Sequence, residues 1–188
     1  SDGFHTQIRA REEAELRIDA GVPRGPTALR LAPTAVQLPA VGELMTLNTA
    51  SASACSNPVM VTGRVEAVSE RAVIVADTAN PPNGFEVEDF EHFAATFDTL
   101  VAPIVETGFA VPGDIDGNGR TIVFFTKEVN ALEGDEEEES FTSGFFFSRD
   151  LFPVAGPGTP LANCATSNEA ELLYLLVPDP LGAVGTEV

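Results

Sequence analysis

A loop of oxygen-bearing side chains runs directly into an apolar strand in the stretch Asp114-Ile-Asp-Gly-Asn-Gly-Arg-Thr-Ile-Val-Phe-Phe-Thr126. The oxygen donors stand at alternate positions, so they can converge in a tight turn. Gly117 and Gly119 permit the left-handed backbone angles that such a turn needs. Hard oxygen donors suit Ca²⁺ better than Zn²⁺, which predicts a structural calcium loop. The candidate metal ligands are Asp114, Asp116, Asn118 and Arg120.

The loop begins like the calcium loop of an EF-hand, in which the twelfth position carries a bidentate acidic residue. The residue at that position is Phe125. The run from Thr121 to Thr126 is typical of a buried strand rather than of an exiting helix. Two interpretations remain open. Either a calcium loop leads into a strand, or a glycine-rich turn uses its Asp and Asn side chains only to bond its own backbone.

The clearest helix signal lies upstream of this loop. Apolar side chains fall on one face of a helical wheel, which predicts a helix packed against a core. The residues of this apolar face are Phe90, Phe93, Phe97, Leu100, Val101 and Ile104. Because proline lacks an amide hydrogen, Pro103 predicts either a kink or the end of the helix between Thr99 and Ala102.

Short apolar runs before and after this helix predict the strands of a sheet. They are 41–48, 59–65, 72–76, 121–126, 145–147 and 172–177. Their order predicts an α+β (mixed α/β) fold with a twisted mixed β-sheet and one long packed helix. We expect residues 1–40 to form an N-terminal helix and a proline-rich arm. We expect residues 41–188 to form a single domain, incomplete at its C-terminus.

The balance of charge is strongly acidic. The 188 residues include 29 acidic and 10 basic side chains, with a net charge of −19 and a pI near 4.2. This charge argues against nucleic acid and against an anionic membrane surface as partners. No stretch approaches the ~20 apolar residues that cross a bilayer. Because the chain begins at Ser1 without an initiator methionine or a leader, we expect a processed secreted protein or an excerpt of a longer one, and a monomer.

The remaining residues with chemistry of their own give weak signals. His5 and His92 have no second histidine or cysteine at metal-ligand spacing, so the residues do not predict a zinc site. Cys55 and Cys164 are either one long-range disulfide or two free thiols. Glu169 and Glu171 are interpreted as flanking residues of a strand rather than as an acid/base pair.

Several segments together carry a resemblance to a known family. They are Gly84-Phe85 before an acidic helix with Phe97-Asp98 inside it, Gly113 to Arg120 leading into Ile122 to Asn130, Gly144 to Phe147 with Asp150 to Pro153, and Ser167 to Tyr174. Over residues 59–177 this pattern resembles the hyicolysin-like family of secreted bacterial zinc metallopeptidases, in the part upstream of the catalytic helix.

The resemblance implies the upper lobe of a zincin-type domain, which a helix with the motif His-Glu-x-x-His follows. That helix would hold Zn²⁺ and activate water for the hydrolysis of a peptide or protein substrate. No residue here matches a zinc ligand or the catalytic glutamate, so we expect this chain alone to be inactive and Zn²⁺ to bind only a longer form. The resemblance also implies that the strand Leu172 to Val177 borders the substrate cleft.

Two features depart from the family pattern. Glu86 stands where a serine or threonine would cap the helix, and Asp135 to Glu139 form an acidic insertion. The alternative function is a non-catalytic, calcium-stabilised extracellular adhesion or structural module, which explains the acidic surface and needs no histidines.

Overall fold

The computed structural model describes residues 38–50, 57–132, 142–151 and 166–184. The predictions for Cys55, for Cys164 and for the acidic insertion fall outside the described residues. So does the prediction for the N-terminal arm, apart from residues 38–40.

Six strands of the described chain form one mixed sheet in the order β1-β2-β3-β4-β6-β5. They are β1 (Leu44–Asn48), β2 (Met60–Val68), β3 (Ala72–Asp77), β4 (Thr121–Phe125), β5 (Gly144–Phe146) and β6 (Leu172–Leu175). Strands β1, β2 and β3 are antiparallel, β3, β4 and β6 are parallel, and β5 runs antiparallel to β6. The predicted α+β fold class is confirmed.

The central strands of the sheet are buried on both faces. Along β3, Val73 and Val75 belong to the core on one face, and Ile74 belongs to the core on the other. All six residues of β3 are buried, and the five before Asp77 are apolar, as expected for a strand that has a neighbour on each side in a covered sheet. One face also holds Phe124 and Tyr174, and the other is covered by the long helix.

The long helix consists of three consecutive segments. They are α1 (Val87–Thr96), a π-helical turn (Phe97–Val101) and α2 (Ala102–Gly108). A four-residue helix, α3 (Lys127–Asn130), follows β4. At the start of α1, the Asp89 carboxylate accepts a hydrogen bond from the Glu86 amide at 2.8 Å. The Phe85 ring packs edge-on against Phe90 at 5.9 Å between ring centres, which fixes the angle at which the chain enters the helix.

Two residues of the predicted apolar face are not in the core. The side chains of Leu100 and Ile104 are 55% and 60% exposed, so the prediction is wrong for them. The reason is the π-helical turn, in which the Ala102 amide donates to the carbonyl of Phe97 rather than to that of Asp98. The extra residue in this turn rotates everything after it by about 100° around the helix axis. Ala102 is therefore buried, whereas Leu100 and Ile104 are exposed.

Pro103 accounts for the position of the wide turn. In a regular α-helix the proline ring would clash with the carbonyl of the residue four positions earlier, here Thr99. A π-helical turn directly before the proline widens the helix at this point. The helix therefore continues past Pro103 to Gly108 and does not end between Thr99 and Ala102.

The connection from the helix to the sheet places the calcium-loop candidate at the end of the sheet where β4 begins. The loop lies between α2 and β4, and residue 120 directly precedes β4. Because β4 and β6 are parallel neighbours, they begin at the same end of the sheet, with Ile122 beside Leu172. The amide of Ile122 donates to the carbonyl oxygen of Glu171, the residue before β6, at 2.7 Å.

None of the helices in the described ranges is long and apolar enough to cross a membrane.

A matched pair of substitutions tests the rotation of the helix. Leu47→Ala removes a side chain that is 4% exposed, and we expect it to lower the free energy of unfolding by about 2–5 kcal/mol. Leu100→Ala removes one that the π-helical turn directs outwards, and we expect a change of about 0.5 kcal/mol or less. Urea denaturation of both variants measures the difference. Equal losses would show that Leu100 packs in the core.

Candidate metal site

The predicted loop has the backbone that its glycines suggested. Gly117 and Gly119 adopt φ angles of 73° and 68°, in the left-handed region that favours glycine. The chain forms a series of bends over residues 115–120, which include both glycines. The glycine part of the loop prediction is confirmed.

Side chains of the loop bond its own backbone. Asp114 Oδ1 accepts from the amide of Gly119 at 2.8 Å, and Asp116 Oδ1 accepts from the amide of Asn118 at 3.1 Å. Asn118 Oδ1 accepts from the amide of Arg120 at 2.6 Å. These are the bonds expected of a glycine-rich turn. In each aspartate these backbone bonds use Oδ1 and leave Oδ2 for another partner.

The side chains of Asn118 and Arg120, the last two predicted ligands, bond other groups of the protein. The Asn118 side-chain amide donates to Asp116 Oδ2. The Arg120 guanidinium donates to the carbonyl oxygens of Ser69 at 2.7 Å and Asn118 at 2.9 Å. Arg120 could therefore offer a cation only its main-chain carbonyl. The roles of Asn118 and Arg120 as ligands stay predictions.

A third carboxylate comes from outside the loop. One ligand atom from each of Asp114, Asp116 and Glu171 lies within 4.8 Å of the others. The side chain of Glu171 is buried, with 6% of the residue exposed, and its Oε1 accepts from the amide of Ile115 at 3.0 Å. Its Oε2 is buried and has no hydrogen-bond partner. A buried carboxylate oxygen without a partner is costly, and a bound cation would remove that cost.

Sequence reasoning correctly placed Glu171 beside a strand but did not connect it with the loop. Ile115 and Glu171 are 56 positions apart in the sequence, and only the parallel pairing of β4 and β6 brings them together. The usable signal was an acidic residue directly before a strand that neighbours β4. Gly113 helps the approach, because a Cβ at this position would lie 3.1 Å from Glu171 Oε1.

The cluster of carboxylates changes the acidity of Asp116. Burial raises the pKa of Asp116, and the negative charges of Glu171 and Asp114 raise it further. A backbone hydrogen bond from Asn118 opposes this increase. The charged form of Asp116 is therefore disfavoured while no cation balances the group, which is the electrostatic condition of a cation-binding site.

The donor set selects the kind of metal. Carboxylate oxygens are ligands for Ca²⁺, which takes six to eight oxygens and accepts carbonyls and water alongside carboxylates. They fit Zn²⁺ poorly, because zinc sites in proteins use mainly histidine nitrogen and cysteine sulfur. Among the described residues, this is the one group of three or more acidic, histidine or cysteine side chains close enough to share an ion. His92 is exposed on α1 and lies outside it.

No protein-family model matches the chain, and no curated protein matches it.

Neutralising Asp116 tests the repulsion inside the cluster. With calcium removed by a chelator, we expect Asp116→Asn to raise the Tm at pH 7 by about 1–3 °C, because one of three mutually repelling charges is lost. Asp116→Asn and wild type should converge at acidic pH. The stabilisation from protonated Asp116 is fully present below the ordinary pKa of an aspartate, about 3.9. It is lost as the pH rises through the raised folded-state pKa.

Thermal unfolding of both proteins in chelator, measured from pH 3 to pH 8, checks this prediction. If Asp116→Asn is less stable than wild type at pH 7 in chelator, the prediction is contradicted.

Proposed function

We propose that this chain is a calcium-binding α+β domain of a secreted protein, in which one Ca²⁺ ion fixes the loop 113–120 to the start of strand β6. Asp114, Asp116 and Glu171 supply the carboxylates. The observation that carries the proposal is the buried Glu171 carboxylate, which has one oxygen without a partner and belongs to a group of three acidic side chains.

The comparison with the EF-hand loop supports this assignment. An EF-hand takes its last carboxylate from the twelfth position of the same loop, where this chain has Phe125. Phe125 is 5% exposed and packs in the core beneath the long helix. The corresponding negative charge comes instead from Glu171 at the start of the neighbouring strand. The ion therefore joins two segments that are distant in the sequence.

For the whole protein, we propose the N-terminal lobe of a secreted zinc metallopeptidase-like protein. The α+β fold with one long packed helix agrees with what the resemblance implies. The resemblance implies that the strand from Leu172 borders the substrate cleft, but Leu172–Leu175 lies between β4 and β5. Of the two terminal strands, β1 and β5, we therefore propose β5 as the peptide-binding edge, because it is the one beside Leu172–Leu175. An extended peptide can add a strand to such an edge through main-chain hydrogen bonds. Zn²⁺ and the catalytic glutamate would belong to a longer form.

The alternative proposal is a non-catalytic extracellular module that calcium stabilises. The all-carboxylate composition of the candidate site favours it, since such a site serves structure without any catalytic group. Peptidase assays on a protein extended beyond Val188 separate the two proposals. Zinc-dependent hydrolysis of an unfolded protein substrate supports the metallopeptidase, and an extended sequence without His-Glu-x-x-His excludes it.

Calcium should stabilise the folded chain. At a free Ca²⁺ concentration about 100 times its Kd, binding adds about 2.7 kcal/mol to the free energy of unfolding. For a chain of this length that corresponds to a rise in Tm of about 5–10 °C over the chelated protein. Scanning calorimetry in calcium and in chelator measures the rise. An unchanged Tm at millimolar calcium would contradict the proposed site.

A matched pair of neighbouring glutamates tests the ligand assignment. Glu171→Gln removes one of three charges that hold the ion, and we expect it to weaken Ca²⁺ binding by about tenfold or more. Glu169→Gln makes the same change two positions earlier, outside the carboxylate group, and should leave the affinity within about twofold of wild type. Equal effects of the two substitutions would rule out a specific role for Glu171.

A further inference from the structure

A cavity lies next to the carboxylate group. Its volume is about 520 Å³, it is half-open to solvent, and its lining comes from the second half of the long helix, the loop and the sheet. Most of its walls are apolar, formed among others by Phe97, Val101, Val105, Val111, Leu172 and Leu173. Ligand pockets for small molecules commonly have about 300–1,000 Å³ and the same mostly apolar lining.

The π-helical turn creates this space. In a regular helix, the larger side chains of Leu100 and Ile104 would continue the inward face that begins with Phe90. The wide turn directs both outwards and leaves the shorter Ala102 and Val105 on the cavity wall. Turns of this type occur frequently at functional sites.

The carboxylate group and the cavity share residues. Gly113, Asp114 and Glu171 line the cavity, and they also build or support the proposed calcium site. Arg120 stands at the same end of the cavity, held by its bonds to Ser69 and Asn118. A ligand in the cavity would therefore contact groups that a bound ion orders.

The charges at this end indicate an uncharged ligand. With Ca²⁺ bound, the ion and Arg120 together balance the three carboxylates. The other two charged residues of the lining, Arg71 and Glu106, form an ion pair with each other. Since three carboxylates fill only part of a calcium coordination shell, an oxygen of the ligand can take an open position.

We propose that this cavity binds a small, neutral, apolar molecule with one alcohol or carbonyl oxygen, and that calcium and this ligand strengthen each other's binding. The second part rests on the proposed calcium site. Coupling of this kind is reciprocal, so the factor by which calcium tightens the ligand equals the factor by which the ligand tightens calcium. The typical range for such a factor is about 5–150.

Octan-1-ol is the probe, and its binding to the full chain is measured by calorimetry and by amide chemical shifts, with calcium and with chelator. We expect saturable binding that calcium tightens by about fivefold or more. Val105→Phe fills the cavity and should weaken octan-1-ol binding by about tenfold or more. Ile104→Phe makes a similar change on the exposed side of the helix and should leave it unchanged.

Two controls keep the test decisive if Val105→Phe does not fold. The calcium-induced rise in Tm reports whether each variant keeps its loop. Val105→Ala enlarges the cavity, and we expect it to shift the preference from octan-1-ol towards decan-1-ol by about threefold or more.

Calcium binding without saturable octan-1-ol binding overturns the inference and leaves the calcium site standing. Octan-1-ol binding of equal strength in calcium and chelator overturns the coupling. An unchanged Tm in calcium refutes the calcium site itself, whatever the alcohol does. N-acetyl-leucine methylamide carries two amide groups rather than one oxygen. If it binds more tightly than octan-1-ol, the proposed ligand class is overturned and the cavity is assigned to a peptide side chain.

Discussion

The parallel pairing of β4 with β6 is the constraint on which the candidate site depends. The amide of Ile122 donates a hydrogen bond to the carbonyl oxygen of Glu171, which sets the register at the end where both strands begin. This register brings the Glu171 carboxylate under the loop, close enough for the amide of Ile115 to bond it. A shift of one residue would turn the side chain of Glu171 to the opposite face of the sheet and dismantle the group.

The position of β6 is fixed from the other face of the sheet by buried polar groups. The Tyr174 hydroxyl donates to Asp150 Oδ2 at 2.7 Å, and Asp150 is fully buried. Burial and the charge of Asp150 raise the pKa of Tyr174, so the hydroxyl keeps its proton and remains a donor. Arg149 pairs with Asp150 and donates to the carbonyl of Asn48 at the end of β1. Satisfied networks of this kind fix a unique arrangement of the elements they join.

Much of the fold followed from patterns that are local in the sequence. Strands at 72–77 and 121–125 were predicted within one residue, because continuous apolar runs beside turn residues have few alternatives. The positive φ angles of Gly117 and Gly119 were predictable because glycine adopts left-handed angles without a steric cost. Two features were not predicted. Glu171 joins the loop only through strand pairing, and Leu100 turns outwards because Pro103 changes the helical repeat that the wheel assumed.

Isothermal titration of the chelator-treated chain with Ca²⁺ is the decisive measurement for the proposed calcium site, because it counts ions as well as measuring affinity. We expect one bound Ca²⁺ per chain, a much weaker response to Mg²⁺, and loss of the high-affinity binding in Glu171→Gln. A wild-type chain without measurable calcium binding would contradict it. So would a Glu171→Gln variant that binds one ion with the affinity of wild type.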